Sequence, residues 1–522
     1  MEVRRVEYPA MSDRWWRGAV IYEVYPRSAA DGNEDGVGDL IGLRHRLKYF
    51  TDLGIDALWL TPIYPSGGVD GGYDVRDFDH IDPAYGGLEA LEAFIGDAHA
   101  AGLKILLDFV PNHTSDQHLW FVEARSSRDS PKRDWYIWAD PARDGGPPNN
   151  WLSAFGGPAW TFDQGTGQYY CTSFYPQQVD LNWRNPDLRA AVTESMRRWV
   201  DRGVDGFRID VVMMLAKDPE LRDNPSNPEG GEGQDGQLLI HSQNHPDVHA
   251  FVREIREALG PDTCLLGEVW IRDLTEIFKY LQPGELDLAF NFLFAIAPWT
   301  ADAKAETIEL AELLASDGLW PCYHLSNHDG WRHATVIGSD AVPAATILLL
   351  TLRGTPILYY GEELGMENVE VPPSRRSDKV GRDVARTPMQ WDDSPNAGFS
   401  SPGAEPWLPV AADYAQRNMA VESADPDSVL SLYRRMLAFR RGSDALRRGS
   451  FVRVPVHGNA LAYLREAPGD RAFAAVNFGA ERIEVAVPAG TVAVATSRWR
   501  AGDRVDGSCA LEGNEALVVS LD

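Results

Sequence analysis

Short apolar runs recur along this chain, and most are followed by a stretch with the three-to-four-residue apolar spacing of a helix. Residues 19–25, 55–60, 104–109, 206–210, 263–267, 286–290, 321–325 and 356–360 read as strands. Residues 43–50, 88–101, 186–202, 248–259, 344–353 and 428–440 read as helices between and after them. Strands joined by helical crossovers run parallel, and a parallel sheet needs both faces covered. Eight such strands predict the α/β class, as a (β/α)₈ TIM barrel.

The rhythm breaks in two places. Residues 113–182 are rich in Trp, Pro and Gly, carry short strand signals such as 168–171, and lack a long amphipathic helix. A loop of that length inside a compact domain is normally a domain of its own. From residue 446 the pattern changes to short alternating runs, at 460–464, 472–476, 484–487 and 516–519, which predict a C-terminal antiparallel β-sandwich domain. The expected division is a barrel from 1–112 and 183–445, an inserted domain at 113–182 after strand three, and a β domain at 446–522.

The chain has 522 residues and a net charge of -28, which argues against nucleic acid or an anionic membrane as partner. Cys171, Cys264, Cys322 and Cys509 lie far apart without a CxxC pair, so neither a zinc site nor a disulfide framework is expected. Residues 1–17 are polar and lack the apolar core of a signal peptide, and the apolar run 341–352 is too short to span a bilayer. A cytoplasmic location is expected.

Barrel sites lie at the C-terminal ends of the strands. There strand three delivers Asp108 and His113, strand four Arg208 and Asp210, strand five Glu268, and strand seven His328 and Asp329. Arg208 and Asp210 are two apart and share a face. Any one of these acids alone reads more readily as structural. Three crowded carboxylates repel, so one is driven toward its neutral form; glycoside hydrolysis needs an ionised nucleophile beside a protonated acid. Separately, Asp31, Asn33, Asp35, Val37 and Asp39 sit at alternate positions of a Gly-rich loop similar to an EF-hand calcium loop, without its partner Glu. The plain alternative is an Asx-rich turn.

Asp108-Phe109-Val110-Pro111-Asn112-His113, Gly206-Phe207-Arg208-Ile209-Asp210, Gly267-Glu268-Val269 and Ser326-Asn327-His328-Asp329 resemble, in order and spacing, the four signature regions of the α-amylase family, glycoside hydrolase family 13. Gln178-Val179-Asp180-Leu181-Asn182 is similar to its fifth region. Within that family, Pro148-Asn149-Asn150-Trp151, Gly381-Arg382-Asp383 and Arg386-Thr387-Pro388-Met389-Gln390-Trp391 resemble α-glucosidases and oligo-1,6-glucosidases.

The resemblance implies roles. Asp210 is the nucleophile, Glu268 the acid and base, and Asp329 the third acid, binding sugar hydroxyls; Arg208 orients Asp210, and His113 and His328 donate to the same glucose. Asp74 and Arg386 are implied as the pair closing the pocket, with Arg382 and Arg375 nearby in sequence, while Tyr73 stacks on the sugar and Phe174 lines the entrance. Asp108 reads as support for its neighbours. Asp31, Asn33, Asp35, Val37 and Asp39 are implied to hold a structural Ca²⁺, or Mg²⁺, and no organic cofactor is implied.

The implied activity is a retaining exo-α-glucosidase on small α-glucosides of the maltose, isomaltose and sucrose class, in a monomer or homodimer. The alternative is a glucosyl transferase or isomerase on the same scaffold. Val211 leans toward α-1,6 linkages and residues 221–225 toward broad α-glucosidases, which leaves linkage open.

Overall fold

The computed structural model describes residues 14–522; Met1 to Asp13, most of the polar N-terminal segment, lie outside the described residues. All eight expected strands are present: β1 Ile21–Val24, β2 Ala57–Leu60, β3 Lys104–Phe109, β4 Gly206–Ile209, β5 Cys264–Gly267, β6 Leu288–Ala289, β7 Cys322–His324 and β8 Thr355–Tyr359. They form one parallel sheet in the order β6-β5-β4-β3-β2-β1-β8-β7, a nearly closed barrel.

Side chains alternate across each strand. Ile21, Ala57, Trp59, Leu106, Leu266, Leu288 and Ile357 form one buried cluster inside the barrel. Their neighbours Tyr22, Leu58, Leu60, Ile105, Leu107, Phe207, Ile209 and Leu265 join the cluster shared with the surrounding helices. The same two-residue step carries the inward series upward from Ile21 to Glu23, from Leu106 to Asp108, from Gly206 to Arg208 and Asp210, and from Leu266 to Glu268. Polar chemistry thus begins where the apolar plug ends.

The helix expected at 43–50 is two helices, Leu40–His45 and Leu47–Leu53, meeting at Arg46. Asp39 starts the first by accepting a hydrogen bond from the Gly42 amide at 2.7 Å. No helix among the described residues is long and apolar enough to cross a membrane.

Between β3 and β4 the chain makes two small antiparallel sheets: His113–Ser115 with Gln178–Asp180, and Trp160–Asp163, Gln168–Cys171 and Trp138–Ala139. After the barrel, β9 Ser450–Val454, β10 Ala460–Ala467, β11 Asp470–Asn477, β12 Ile483–Ala495, β13 Arg504–Leu511 and β14 Ala516–Leu521 make the antiparallel domain. All six strands belong to one hydrogen-bonded sheet, with register shifts along β12. Both faces are apolar. Ala472, Ala474 and Val476 join the barrel's outer core, while Phe473, Ala475, Val487 and Val519 form a separate cluster.

Arg465 of β10 fastens this sheet to the barrel. Fully buried, it donates to Thr351 O at 2.5 Å, Leu446 O at 3.0 Å, Gly449 O at 3.1 Å and Ser450 O at 3.0 Å, satisfying carbonyls where helices end. Arg465→Ala orphans these acceptors and is expected to cost about 3 kcal/mol or more. Thermal unfolding checks this; an unchanged midpoint would mean that the sheet is fastened elsewhere.

Candidate active site

Arg208 sits at the centre, because β3 and β4 pair Asp108 directly with it. Its side chain is 2% exposed. Nη1 donates to Asp108 Oδ1 at 2.9 Å and to Asp210 Oδ1 at 2.7 Å, and Nη2 donates to Glu268 Oε2 at 2.7 Å. One guanidinium therefore holds both members of the expected nucleophile and acid pair. Asp108 also accepts from Tyr73 Oη at 2.8 Å and Trp59 Nε1 at 3.3 Å, which fits its expected supporting role.

The backbone after Asp210 is strained. Val211 has φ 35 and ψ 48, the left-handed region that a β-branched residue avoids. Such strain costs on the order of 1–3 kcal/mol. Here it aims the Val211 N–H at Glu268 Oε2, 3.2 Å away, and the Val212 N–H at Glu268 O, 3.0 Å away.

Asp329 lies on the loop after β7, its side chain 33% exposed. Oδ2 is 3.0 Å from His328 Nε2, and Oδ1 accepts from Arg382 Nη1 at 3.0 Å and Arg386 Nη2 at 2.9 Å. His328 Nδ1 is 2.6 Å from Glu23 Oε1 and its Nε2 is 2.7 Å from Tyr73 Oη, the two rings lying parallel and side by side, 5.3 Å between centroids and 3° between planes. His113 is buried, with Nε2 3.0 Å from Gln178 Nε2 and 3.2 Å from Tyr73 O, and its ring 5.2 Å from Phe174.

The expected Asp74–Arg386 pair does not form. Asp74 is fully buried and accepts from Ser66 Oγ at 2.6 Å, Asp70 N at 3.2 Å and Val69 N at 3.2 Å, so it fixes its own loop. Gly71 and Gly72, at φ 59 and 111, turn the chain between Asp70 and Asp74. The ion pair across the pocket is Asp70–Arg382, with Arg382 also 2.7 Å from Asp378. Arg386 instead holds His328 O at 2.7 Å and Asp329. Two further residues were given no role by the sequence reading, although Gln178 opens the fifth-region stretch. Gln178 donates to Asp70 at 2.8 Å, and Glu23 could have been found by the two-residue step from Ile21.

Burial raises Asp108 to about 6, although Arg208 and His328 oppose it. Burial also pushes Asp210 well above the usual carboxylate range; Arg208 pulls it down, while Glu268, Asp108 and Asp329 push it up. A cluster so crowded retains a proton that isolated carboxylates would lose. Asp329 goes the other way: against partial desolvation, His328, Arg382 and Arg386 hold it well below the usual range. Burial alone would discharge His328, but Asp329 and Glu23 outweigh it and bring it to about 9. Asp329 is thereby kept ionised beside Asp210, which shares the Arg208 cation with Glu268, so acids of opposite tendency lie in one site.

Asp31, Asn33, Asp35, Val37 and Asp39 do share one loop. Asp31 accepts from Glu34 N at 2.7 Å and Gly36 N at 2.8 Å, Asp35 from Val37 N at 2.8 Å, and Asp39 from Asn33 N at 3.1 Å. The all-oxygen donor set suits a hard divalent cation. Among the described residues, however, no three acid, His or Cys side chains converge as metal ligands.

Residues 23–449 match the alpha amylase catalytic domain family. The chain is 40% identical over 505 residues to a probable alpha-glucosidase of Rhizobium meliloti, covering 91% of each chain. It is 36% identical to an oligo-1,6-glucosidase of Heyndrickxia coagulans, covering 91% of this chain and 94% of the relative. The crystal structure of an alpha-glucosyl transfer enzyme superposes with a TM-score of 0.92 at 37% identity, covering 98% of this chain and 100% of that one.

Arg208 is the counter-charge for three acids, which sets a pH signature. An acid whose folded pKa is raised stabilises the fold below its unfolded value and loses that contribution as pH rises through the folded value. For Asp108 the window runs from 3.8 to about 6. Removing the cation by Arg208→Met is expected to deepen this loss and extend it to higher pH. Midpoints of thermal unfolding across that range check it; parallel curves for the two proteins would refute Arg208 as the counter-charge.

Proposed function

The chain belongs to the α-amylase family of glycoside hydrolases, and from that premise we propose that it is a retaining, exo-acting α-glucosidase. Its substrates are small α-glucosides. The observation that carries the reading is the shared guanidinium: Asp210 and Glu268 lie on one Arg208, so both reach the same sugar carbon and its leaving oxygen.

Glu268 gives its proton to the glycosidic oxygen while Asp210 Oδ attacks the anomeric carbon from the opposite side, breaking the C–O bond and forming a β-glucosyl ester. Glu268, now ionised, takes a proton from water, whose oxygen displaces Asp210 and releases α-glucose. Asp329 accepts hydrogen bonds from the sugar hydroxyls and His113 and His328 donate to them. The ion pairs of Arg382 with Asp70 and Asp329 bar the pocket beyond one glucose, which supports exo action.

Transfer of glucose to a second sugar is the alternative, favoured by the likeness to the glucosyl transfer enzyme. It uses the same ester with a sugar hydroxyl in place of water. The preference among maltose, isomaltose and sucrose, and a monomeric or homodimeric state, belong to this proposal. So does residence in the cytoplasm, supported by four buried, unpaired cysteines. A structural Ca²⁺ or Mg²⁺ on Asp31, Asn33, Asp35, Val37 and Asp39 is proposed separately, on the strength of its all-oxygen donors.

Glucose release from maltose, isomaltose, sucrose and trehalose at equal concentration tests the reaction. Free glucose is expected; an isomeric disaccharide with little glucose would move the protein to the transferase class, and inertness on all four would sink both. Asp210→Asn is expected to lose activity roughly ten-thousandfold or more. For the cation, chelation is expected to lower the unfolding temperature and Ca²⁺ to restore it. A midpoint indifferent to both leaves only an Asx-rich turn.

A further inference from the structure

Beneath the catalytic floor lies a charged residue that the mechanism does not use. Glu23 is fully buried at the last inward position of β1. Its Oε1 is 2.6 Å from His328 Nδ1 and accepts from the His328 backbone N–H at 3.3 Å. Its Oε2 has no hydrogen-bond partner among the described residues. A carboxylate kept dry with one oxygen unsatisfied is costly, so its contact with His328 calls for a reason.

Hydrogen-bond accounting around the imidazole supplies it. Nε2 faces two oxygens, Tyr73 Oη at 2.7 Å and Asp329 Oδ2 at 3.0 Å. The single Tyr73 proton is directed to Asp108. With both ring nitrogens protonated, every contact pairs a donor with an acceptor. With Nε2 bare, its lone pair meets the Asp329 carboxylate, and Tyr73 must choose between Asp108 and His328. A neutral ring protonated at Nε2 would set a bare Nδ1 against Glu23 Oε1 and meets these contacts only if the buried Glu23 carboxyl takes the proton; with Glu23 ionised, only the imidazolium satisfies the cluster.

We propose that Glu23 is a positioning residue for hydrolysis: it holds His328 as an imidazolium, so that Nε2 remains a donor to Asp329 and Tyr73 on the pocket wall. The inference rests on the α-glucosidase reading, in which Asp329 and His328 bind the sugar. The other groups facing His328 have been weighed. Tyr25 of the loop after β1 lies 6.4 Å away, ring to ring, and Trp59 of β2 lies 5.9 Å away and is neutral. Asp108 of β3 and Arg208 of β4 act through Tyr73, with opposite signs. Arg386, after β8, reaches the His328 carbonyl and disfavours a second cation nearby. Asp329 and Glu23 alone touch the ring nitrogens with negative charge, and the shift of His328 to about 9 accords with that.

The isosteric Glu23→Gln keeps a hydrogen-bond acceptor for Nδ1 and removes the charge. Loss of the His328 proton lowers kcat/KM for an aryl α-glucoside on the basic limb, because Nε2 then no longer donates. In Glu23→Gln this limb is expected to move to lower pH by roughly one to two units. Inhibition by glucose, which needs no proton from Glu268, is expected to weaken over the same shifted range. Superimposable profiles, or a uniform loss of activity at every pH, would overturn the inference while leaving the glucosidase reading intact. A wild-type protein inert on α-glucosides would instead remove the reading beneath it. Should Glu23→Gln fail to fold, Glu23→Asp withdraws the charge by one methylene and is expected to give a smaller shift in the same direction; no shift would be decisive against the proposal.

Discussion

Arg208 places one delocalised positive charge among Asp108, Asp210 and Glu268, and the top of the barrel is arranged to keep it there. Three buried carboxylates without it would each have to take up a proton or draw in water. The planar fork suits the task, because Nη1 and Nη2 each meet carboxylate oxygens at hydrogen-bonding distance while the charge stays spread over both. A lysine would present a single point charge and could not hold two acids at a fixed separation. The proposed nucleophile and the proposed acid are thus spaced by the geometry of a third residue.

That arrangement depends on strand register more than on loop design. Asp108 stands opposite Arg208 in the β3–β4 ladder, and Leu266 opposite Arg208 in the β4–β5 ladder, which brings Glu268 level with Asp210. A slip of one residue in β4 would send Arg208 outward into the helix layer and Phe207 into the barrel. Gly206 allows the close fit: a Cβ there would come within 2.5 Å of the Cys264 carbonyl oxygen. Above the ladder, the strained turn at Val211 replaces regular hydrogen bonding and delivers backbone N–H groups to Glu268.

The same reasoning explains what could be read from the sequence and what could not. Short continuous apolar runs, separated by stretches at helical spacing, disclosed all eight strands, because burial on both faces leaves no other composition for them. Arg208, Asp210, Glu268 and Asp329 were legible because they follow such runs at fixed offsets. Glu23 obeyed that rule and was overlooked only because its strand stands alone at the start. The pocket-closing pair is different in kind. Asp70 and Asp74 flank two glycines, and which of them faces inward depends on positive φ angles at Gly71 and Gly72 that no periodicity encodes. Arg382 and Arg386 likewise leave a one-turn helix four residues apart, so spacing alone favours neither.

The exchange of Asp74–Arg386 for Asp70–Arg382 changes what closing the pocket means. Arg382 touches Asp70, Asp378 and Asp329 together, so the proposed bar across the pocket and the acid proposed to bind sugar hydroxyls share a cation. Asp329 is also the most exposed of the three acids, at 33% against 8% for Asp210 and 11% for Glu268. A sugar that hydrogen-bonds to Asp329 competes with Arg382 and Arg386 for its oxygens, and weakening that contact leaves Arg382 to Asp70 and Asp378. On the proposed reading, recognition of the terminal glucose is therefore coupled to the strength of the barrier behind it, and the same cation that fixes Asp329 would discriminate against longer chains.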